Sequence, residues 1–387
     1  MDRSLKLNSS LFGKLSVFFI LTSLLFNFII EGFFEITLFR KVFLLIALAF
    51  FALRIALNTR VNIIPIILIY YSSALVILFV SIFFWSSYSQ ITVYISPILA
   101  LIVITTEFSF FKKLLIYITY LILFLAIYEY LIKDYIFTVS RETDWGFIPL
   151  DEKFYGGLSQ IFRAKALFEG PLALAQFAIG ISLIFKDKIK IIIIAIILSL
   201  LANGRLGLIV SSGVLILHII EYYNLVDFLK KKKVIISLAI IIVSSISAFF
   251  YFLSQKAILR ILESLNLGST SNDARLGYWA KAVDYYIDYD FFNKIFGKSG
   301  YFREAVGNSA ENGWLMLLLD NGLIGFMYYF LPLFVISTLS FEYRRIYYGH
   351  MFLLFVSMFI QTFHMGALAA IFYWIIIYSF YQKIIKA

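Results

Sequence analysis

Residues 190–220 read KIIIIAIILSLLANGRLGLIVSSGVLILHII, two apolar runs parted only by Asn203-Gly204-Arg205. Neither run carries the polar stripe that a helix on the surface of a soluble protein would show. A bilayer core about 30 Å thick takes roughly 20 apolar residues per helix, so the pair reads as two membrane spans joined by a minimal turn. The same pattern continues outward at residues 234–253, VIISLAIIIVSSISAFFYFL, and at residues 371–380, IFYWIIIYSF. Across the 387 residues, 62% are hydrophobic and 14% charged. Soluble domains average about 45–50% apolar and about 25% charged, so a soluble fold is excluded.

Spans are expected at 15–34, 41–58, 63–85, 92–106, 113–132, 171–185, 190–203, 205–220, 234–253, 313–339, 351–364 and 366–382, about twelve in all. Lys and Arg test this reading, because cytoplasmic gaps collect them. Arg3, Lys6 and Lys14, then Arg60, Lys112 with Lys113, Lys186 with Lys188 and Lys190, the run of Lys230, Lys231, Lys232 and Lys233, Arg344 with Arg345, and Lys383 with Lys386 all fall on one side. That side carries both termini and is read as the cytoplasm. The net charge of +10 is thereby explained by topology, with no nucleic acid implied. The apolar run after Lys14 imitates a signal peptide, but no small-residue cleavage site follows, and it is read as a retained first span. The chain is a single polytopic domain, 1–387, without internal repeat. With no cysteine, it has neither disulfides nor a cysteine metal cluster.

Two long segments, about 133–170 and 254–312, face the opposite side and hold most of the polar chemistry, together with the 203–205 turn. The second is expected to contain an amphipathic helix from Ala274 to about Ile287, with Ser271, Asn272 and Asp273 as capping candidates and Leu276, Trp279, Val283 and Tyr286 on one face at the membrane surface. Arg163, Lys165, Arg205 and Arg275 all stand where the positive-inside tendency disfavours them. Guanidinium forks bind phosphate bidentately, so this cationic set suits a lipid-linked pyrophosphate. The bland alternative is that each arginine snorkels or pairs with an acid such as Glu169 or Asp273.

Glu311, in Asn308-Ser309-Ala310-Glu311-Asn312-Gly313-Trp314, stands where an apolar helix begins. It reads either as a helix cap or as a general base that deprotonates an attacking hydroxyl. Asp320 and Asn321 interrupt the following span, which requires surrounding protein or a wet cavity. Of the histidines, His364 is on the interesting side, while His218 and His350 lie near cytoplasmic helix ends. No metal-binding spacing and no nucleotide-binding glycine motif occurs, and Arg54 is read as snorkelling.

Three stretches taken together resemble the O-antigen polymerase and ligase superfamily of bacterial envelope glycosyltransferases. They are the segment from Arg163 to Gln176, the turn Leu201-Ala202-Asn203-Gly204-Arg205-Leu206-Gly207, and the region from Arg275 through Phe296-Gly297-Lys298-Ser299-Gly300 to Glu311-Asn312-Gly313 and Asp320-Asn321-Gly322-Leu323-Ile324-Gly325.

The resemblance implies an all-α integral membrane protein of GT-C-like architecture in the bacterial inner membrane. It implies metal-independent, inverting glycosyl transfer at the periplasmic face, without cofactor. The donor would be an undecaprenyl-pyrophosphate-linked oligosaccharide. Glu311 and Arg205 would be catalytic, and Arg163, Lys165, Arg275, Asn312 and His364 would hold pyrophosphate. Partners would be the lipid-linked glycans, membrane lipid and, as an option, a chain-length regulator. Ligases of the superfamily commonly show His-Asn where this chain has Glu311-Asn312, which favours a polymerase. The rival expectations are ligation to lipid A core and flipping of lipid-linked oligosaccharides.

Overall fold

The computed structural model describes residues 3–33, 39–57, 79, 91–138, 141–143, 146–148, 155–156, 161–222, 270–343, 345–360, 363–364 and 366–385. The spans expected at 63–85 and 234–253 lie almost wholly outside them. Among the described residues the chain is predominantly helical: α1 Arg3–Leu25, a π-turn at Phe28–Phe33, α2 Phe39–Leu57, α3 Ile91–Ile132, α4 Pro171–Ile184, α5 Ile189–Leu201, α6 Arg205–Tyr222, α7 Thr270–Asp288, α8 Phe291–Phe296, α9 Tyr301–Val306, α10 Gly313–Tyr343, α11 Arg345–Ile360 and α12 Ala367–Ile385. Three stretches, Val93–Ile132, Arg205–Tyr222 and Gly313–Phe341, are long and apolar enough to cross a membrane. Five shorter apolar helices accompany them, at Ser10–Leu25, Pro171–Ile184, Ile189–Leu201, Ile346–Phe359 and Leu368–Ile384.

The long segment expected at about 133–170 carries short strands before α4. Strands β1 Arg141–Thr143 and β2 Gly146–Ile148 pair antiparallel, as do β3 Tyr155–Gly156 and β4 Ile161–Phe162. These stretches interrupt the apolar pattern with polar and glycine residues, so a short hairpin satisfies their backbone where no helix would persist.

Spans expected at 92–106 and 113–132 appear as the two arms of α3, which breaks at Glu107 (φ −138°, ψ 60°). Contacts show that the arms run in opposite senses. The Tyr94 hydroxyl donates to Asn321 Oδ1 (2.7 Å) near the start of α10, and Glu129 accepts from the amides of Lys165 and Ala166 (2.9 and 2.7 Å) just before α4. At the break, Glu107 accepts from Ser10 in α1 (2.6 Å). One end of the bundle therefore carries the segments that lead into α4, α10 and α12. The other carries the α3 break and the α4–α5 turn. Arg54 does more than snorkel, for its charge lies within electrostatic reach of Glu107.

Helix α10 breaks at Gly322 (φ 63°, ψ −165°), where Asp320 and Asn321 interrupt the apolar run. The break forfeits the amide that would have bonded the Leu319 carbonyl, and the Lys298 amide supplies the replacement at 2.8 Å. Asp320 Oδ1 accepts from the Gly300 amide (3.1 Å), and Asp320 and Asn321 are both buried. Backbone of residues 295–300 thus fills the gap. Gly297 (φ 76°) and Gly322 face each other so closely that a Cβ on either would overlap the other segment's backbone. Alanine at Gly297 or Gly322 is expected to cost more than about 2 kcal/mol, from left-handed strain plus the overlap. Thermal unfolding in detergent reads this as a large fall in melting temperature, against little change for Gly277→Ala, where space is open.

Candidate functional site

At the loop-bearing end the structure forms two polar groups. The first joins α7 to the entry of α10. Arg275 Nε donates to Glu311 Oε2 at 2.6 Å, so among the described side chains the acid that pairs with Arg275 is Glu311, while the side chain of Asp273 lies outside them. Both side chains remain about a third open, at 31% and 33%. The cap of α10 is Asn312, whose Oδ1 accepts from the amides of Trp314 and Leu315 (3.0 and 3.2 Å). Glu311 is thereby released from capping. It is held with φ +50°, a left-handed conformation that a side-chain-bearing residue adopts only under constraint. Its amide meets Ser309 Oγ at 3.3 Å.

Beside this pair runs an apolar groove of ≈690 Å³ between α7, α10 and α11. Trp279, Val283, Trp314, Phe330, Phe355 and Phe359 line it, and Asn312 and Asp284 add polar groups. The indole of Trp279 meets Phe359 edge-on, with ring centroids 5.1 Å apart. Helix α7 therefore docks on the bundle through Trp279 and the buried Ala282, while Leu276 and Val283 stay exposed. Tyr289, at the end of α7, is buried, and burial followed by the Asp320 charge pushes its phenol above its ordinary pKa. It stays protonated and is no base.

The second group surrounds the entry to α4. Arg163 Nε donates to the Ala202 carbonyl (3.0 Å), and the Ala164 amide bonds the Leu201 carbonyl (3.0 Å). Arg163 is thus tied to the turn whose last residue, Arg205, opens α6. Lys165 is buried, with Nζ over the rings of Phe28 (4.5 Å) and Tyr135 (4.9 Å). Glu129, on α3, is fully buried and organises this segment, accepting from the amides of Lys165, Ala166 and Ile136 (2.9, 2.7 and 3.3 Å). Sequence reading passed over Glu129, because one acid near the end of an apolar run gives no hint of its partners. The only signal was that an ionisable residue there is costly and must be paired.

His364, in the turn before α12, is 1% exposed, and its ring lies 5.9 Å from that of Tyr329. It sits within electrostatic reach of Arg303 on α9, a cation the sequence reading did not single out. The structure buries this imidazole ahead of α12, behind the surface. A polar cavity of ≈180 Å³ lies among residues of α1, α2, α4 and α12, lined among others by Asn27, Arg40, Glu169, Gln176 and Gly366. Among the described residues no group of three or more His, Asp or Glu side chains could hold a metal ion.

Replacing Asn312 by alanine should cost about 1 kcal/mol, the usual worth of a helix cap. Asn312→Asp should retain most of it, as read by melting temperature. Glu129→Leu strips three backbone amides of their acceptor and should open the 163–168 segment to limited proteolysis. Glu129→Gln, which keeps a carbonyl oxygen, should open it less. No family model matches the chain, and no curated protein matches it.

Proposed function

We propose that the chain is a multi-pass enzyme of the bacterial inner membrane, with both termini in the cytoplasm, about twelve spans and a GT-C-like arrangement. In this reading it joins undecaprenyl-pyrophosphate-linked oligosaccharide repeat units at the periplasmic face. The observation that carries the proposal is the Arg275–Glu311 pair, 2.6 Å apart, beside a ≈690 Å³ groove walled by aromatic and aliphatic side chains. A lipid-linked pyrophosphate needs cationic contacts and an apolar path together, and this end of the bundle offers both.

The reaction follows from the groups present. Pyrophosphate of the incoming donor takes Arg275 as its partner, and Arg163 and Arg205 complete its cationic surroundings. Glu311, released from Arg275, removes the proton of the acceptor hydroxyl. That oxygen attacks the anomeric carbon of the donor from the face opposite the pyrophosphate, and a new carbon–oxygen bond forms with inversion. The bond to the pyrophosphate oxygen breaks, its electron pair leaves with the lipid pyrophosphate, and the arginines stabilise that charge. Asn312, its Oδ1 bonded to two amides, fixes the backbone of Glu311. Lys165 and His364, both buried, act as supports behind the phosphate-facing surface.

The test is polymerisation by purified protein in nanodiscs, with lipid-linked repeat units, a chelator and no nucleotide, read as a ladder on a gel. Wild type should produce the ladder. Glu311→Gln and Arg275→Ala should each slow it about a hundred-fold or more, the range expected for losing a general base or a charge clamp. Transfer to lipid A core in place of a ladder would show a ligase. Movement of labelled donor across a sealed bilayer without any transfer would show a flippase and would overturn the proposal.

A further inference from the structure

Apart from the Arg275–Glu311 pair, the loop-bearing end holds the polar cavity of ≈180 Å³. Its polar lining comes from distant parts of the chain: Asn27 just after α1, Arg40 in the first turn of α2, Glu169 just before α4, and Gln176 on α4. Glu169 is exposed and Arg40 and Gln176 are half-buried, so the lining reaches the surface. Phe28, Phe168 and Phe177 supply its aromatic part. The ring of Phe28 also carries the Lys165 ammonium, 4.5 Å from its centroid. The cavity therefore shares a wall with the cationic group at the entry to α4.

Charge, hydrogen bonding and size narrow what fits there. Among the lining residues Arg40 and Glu169 bring one charge of each sign, which favours a neutral guest over an ion. The amides of Asn27 and Gln176 can donate and accept alike. Asn27 has a side-chain oxygen that is buried and without a hydrogen-bond partner among the described residues, a state in which buried polar atoms are seldom left. At about 30 Å³ per water the cavity of ≈180 Å³ takes about six waters' worth of guest, well short of the about 300–1,000 Å³ of sites for drug-sized ligands. A single sugar ring meets each condition. It is compact, its hydroxyls donate and accept, and its C–H face is apolar enough to lie against phenylalanine.

We propose that this cavity holds one neutral sugar ring of the lipid-linked glycan, with Asn27, Arg40, Glu169 and Gln176 sharing its hydroxyls. The inference rests on the glycosyltransferase reading for the source of that sugar. It gives these residues, which the Arg275–Glu311 chemistry does not use, the task of choosing which glycan is accepted.

The chain has no cysteine, so Ala173→Cys, at a half-buried position in the lining, places a lone thiol in the cavity and leaves its polar side chains intact. The full chain in nanodiscs is labelled with a small water-soluble methanethiosulfonate while hexoses, N-acetylhexosamines and deoxyhexoses are added one at a time. At least one of them should slow labelling about five-fold or more when supplied at several times the roughly millimolar Kd that so small a ligand commands. Adding Gln176→Ala removes a polar contact and should bring the slowing to within about two-fold. Gly366→Ala should act alike, because its new Cβ would lie 2.8 Å from Gln176 Oε1 and displace that amide. Melting temperatures show that both variants are folded. A thiol at Ala280→Cys, in the separate apolar groove, should label at one rate with or without sugar. The proposal is overturned by an Ala173→Cys thiol that ignores every sugar or never reacts, or by slowing that survives both variants. Equal slowing by glycerol or by inorganic phosphate would make the guest a small polyol or an anion and would overturn it too. Binding requires no transfer, so slowing without a polymer ladder would support the sugar site and remove the polymerase reading, whereas a ladder without slowing would remove the sugar site alone.

Discussion

The carbonyl of Leu319 loses its helical amide where α10 breaks at Gly322, and the amide of Lys298 replaces it at 2.8 Å. An apolar surrounding supplies no water to satisfy a freed carbonyl, so a broken helix persists only where other backbone reaches it. Two glycines with positive φ, Gly297 and Gly322, make that approach possible by leaving no Cβ between the strands of backbone. The α7–α10 side of the candidate site hangs on this junction. It fixes the segment from α8 to α9 on α10 and sets Arg303 near His364.

The sequence made parts of this legible and hid others, for physical reasons. Asn203-Gly204-Arg205 reads as a turn because its residues interrupt two apolar runs, and the structure puts a turn there between α5 and α6. Asp320 and Asn321 announce a break for the same reason. What fills the break was not legible, since a wet cavity and a backbone plug impose the same interruption on the sequence. The pairing of Arg275 with Glu311 spans 36 positions, and the Glu129 bonds to Lys165 and Ala166 span 36 and 37. No periodicity encodes such distances. Capping by Asn312 in place of Glu311 was a choice between neighbours that depends on one residue's φ, which composition does not reveal.

Four side-chain-bearing residues adopt left-handed backbone among the described residues: Lys133, Ala166, Asn203 and Glu311. Each sits where a helix ends or the next is about to begin, and all belong to the loop-bearing end. Such conformations cost about 1 kcal/mol or more each and persist only when neighbours over-determine them. At Ala166 the neighbour is Glu129, which accepts its amide. At Asn203 the turn is closed by bonds from Asn203 to Leu200 and from Gly204 to Ser199 (2.9 and 2.8 Å). Glu311 has the Asn312 cap on one side and Arg275 on the other. The strained backbone positions therefore share one end of the molecule with Arg163, Arg205 and Arg275, a combination that packing alone would not require.

The Arg275–Glu311 pair is the member of this set best suited to change partners. With about a third of each side chain open (31% and 33%), its net worth falls near the about 0–1 kcal/mol typical of exposed pairs. A hydrogen bond from a guanidinium to a phosphate oxygen, screened from water by an apolar groove, lies in the range of about 1.5–3 kcal/mol. For the proposed donor that exchange would be downhill, and the carboxylate it frees is already fixed in place by its own backbone. Glu129 presents the opposite case: it is buried and accepts from three backbone amides, and an apolar residue in its place would leave those buried donors without their acceptor, at a cost of about 1–3 kcal/mol for a donor so stranded. The same carboxylate chemistry thus serves two ends, Glu311 in a pair a third open at the entry to α10 and Glu129 buried and holding the surrounding chain in place.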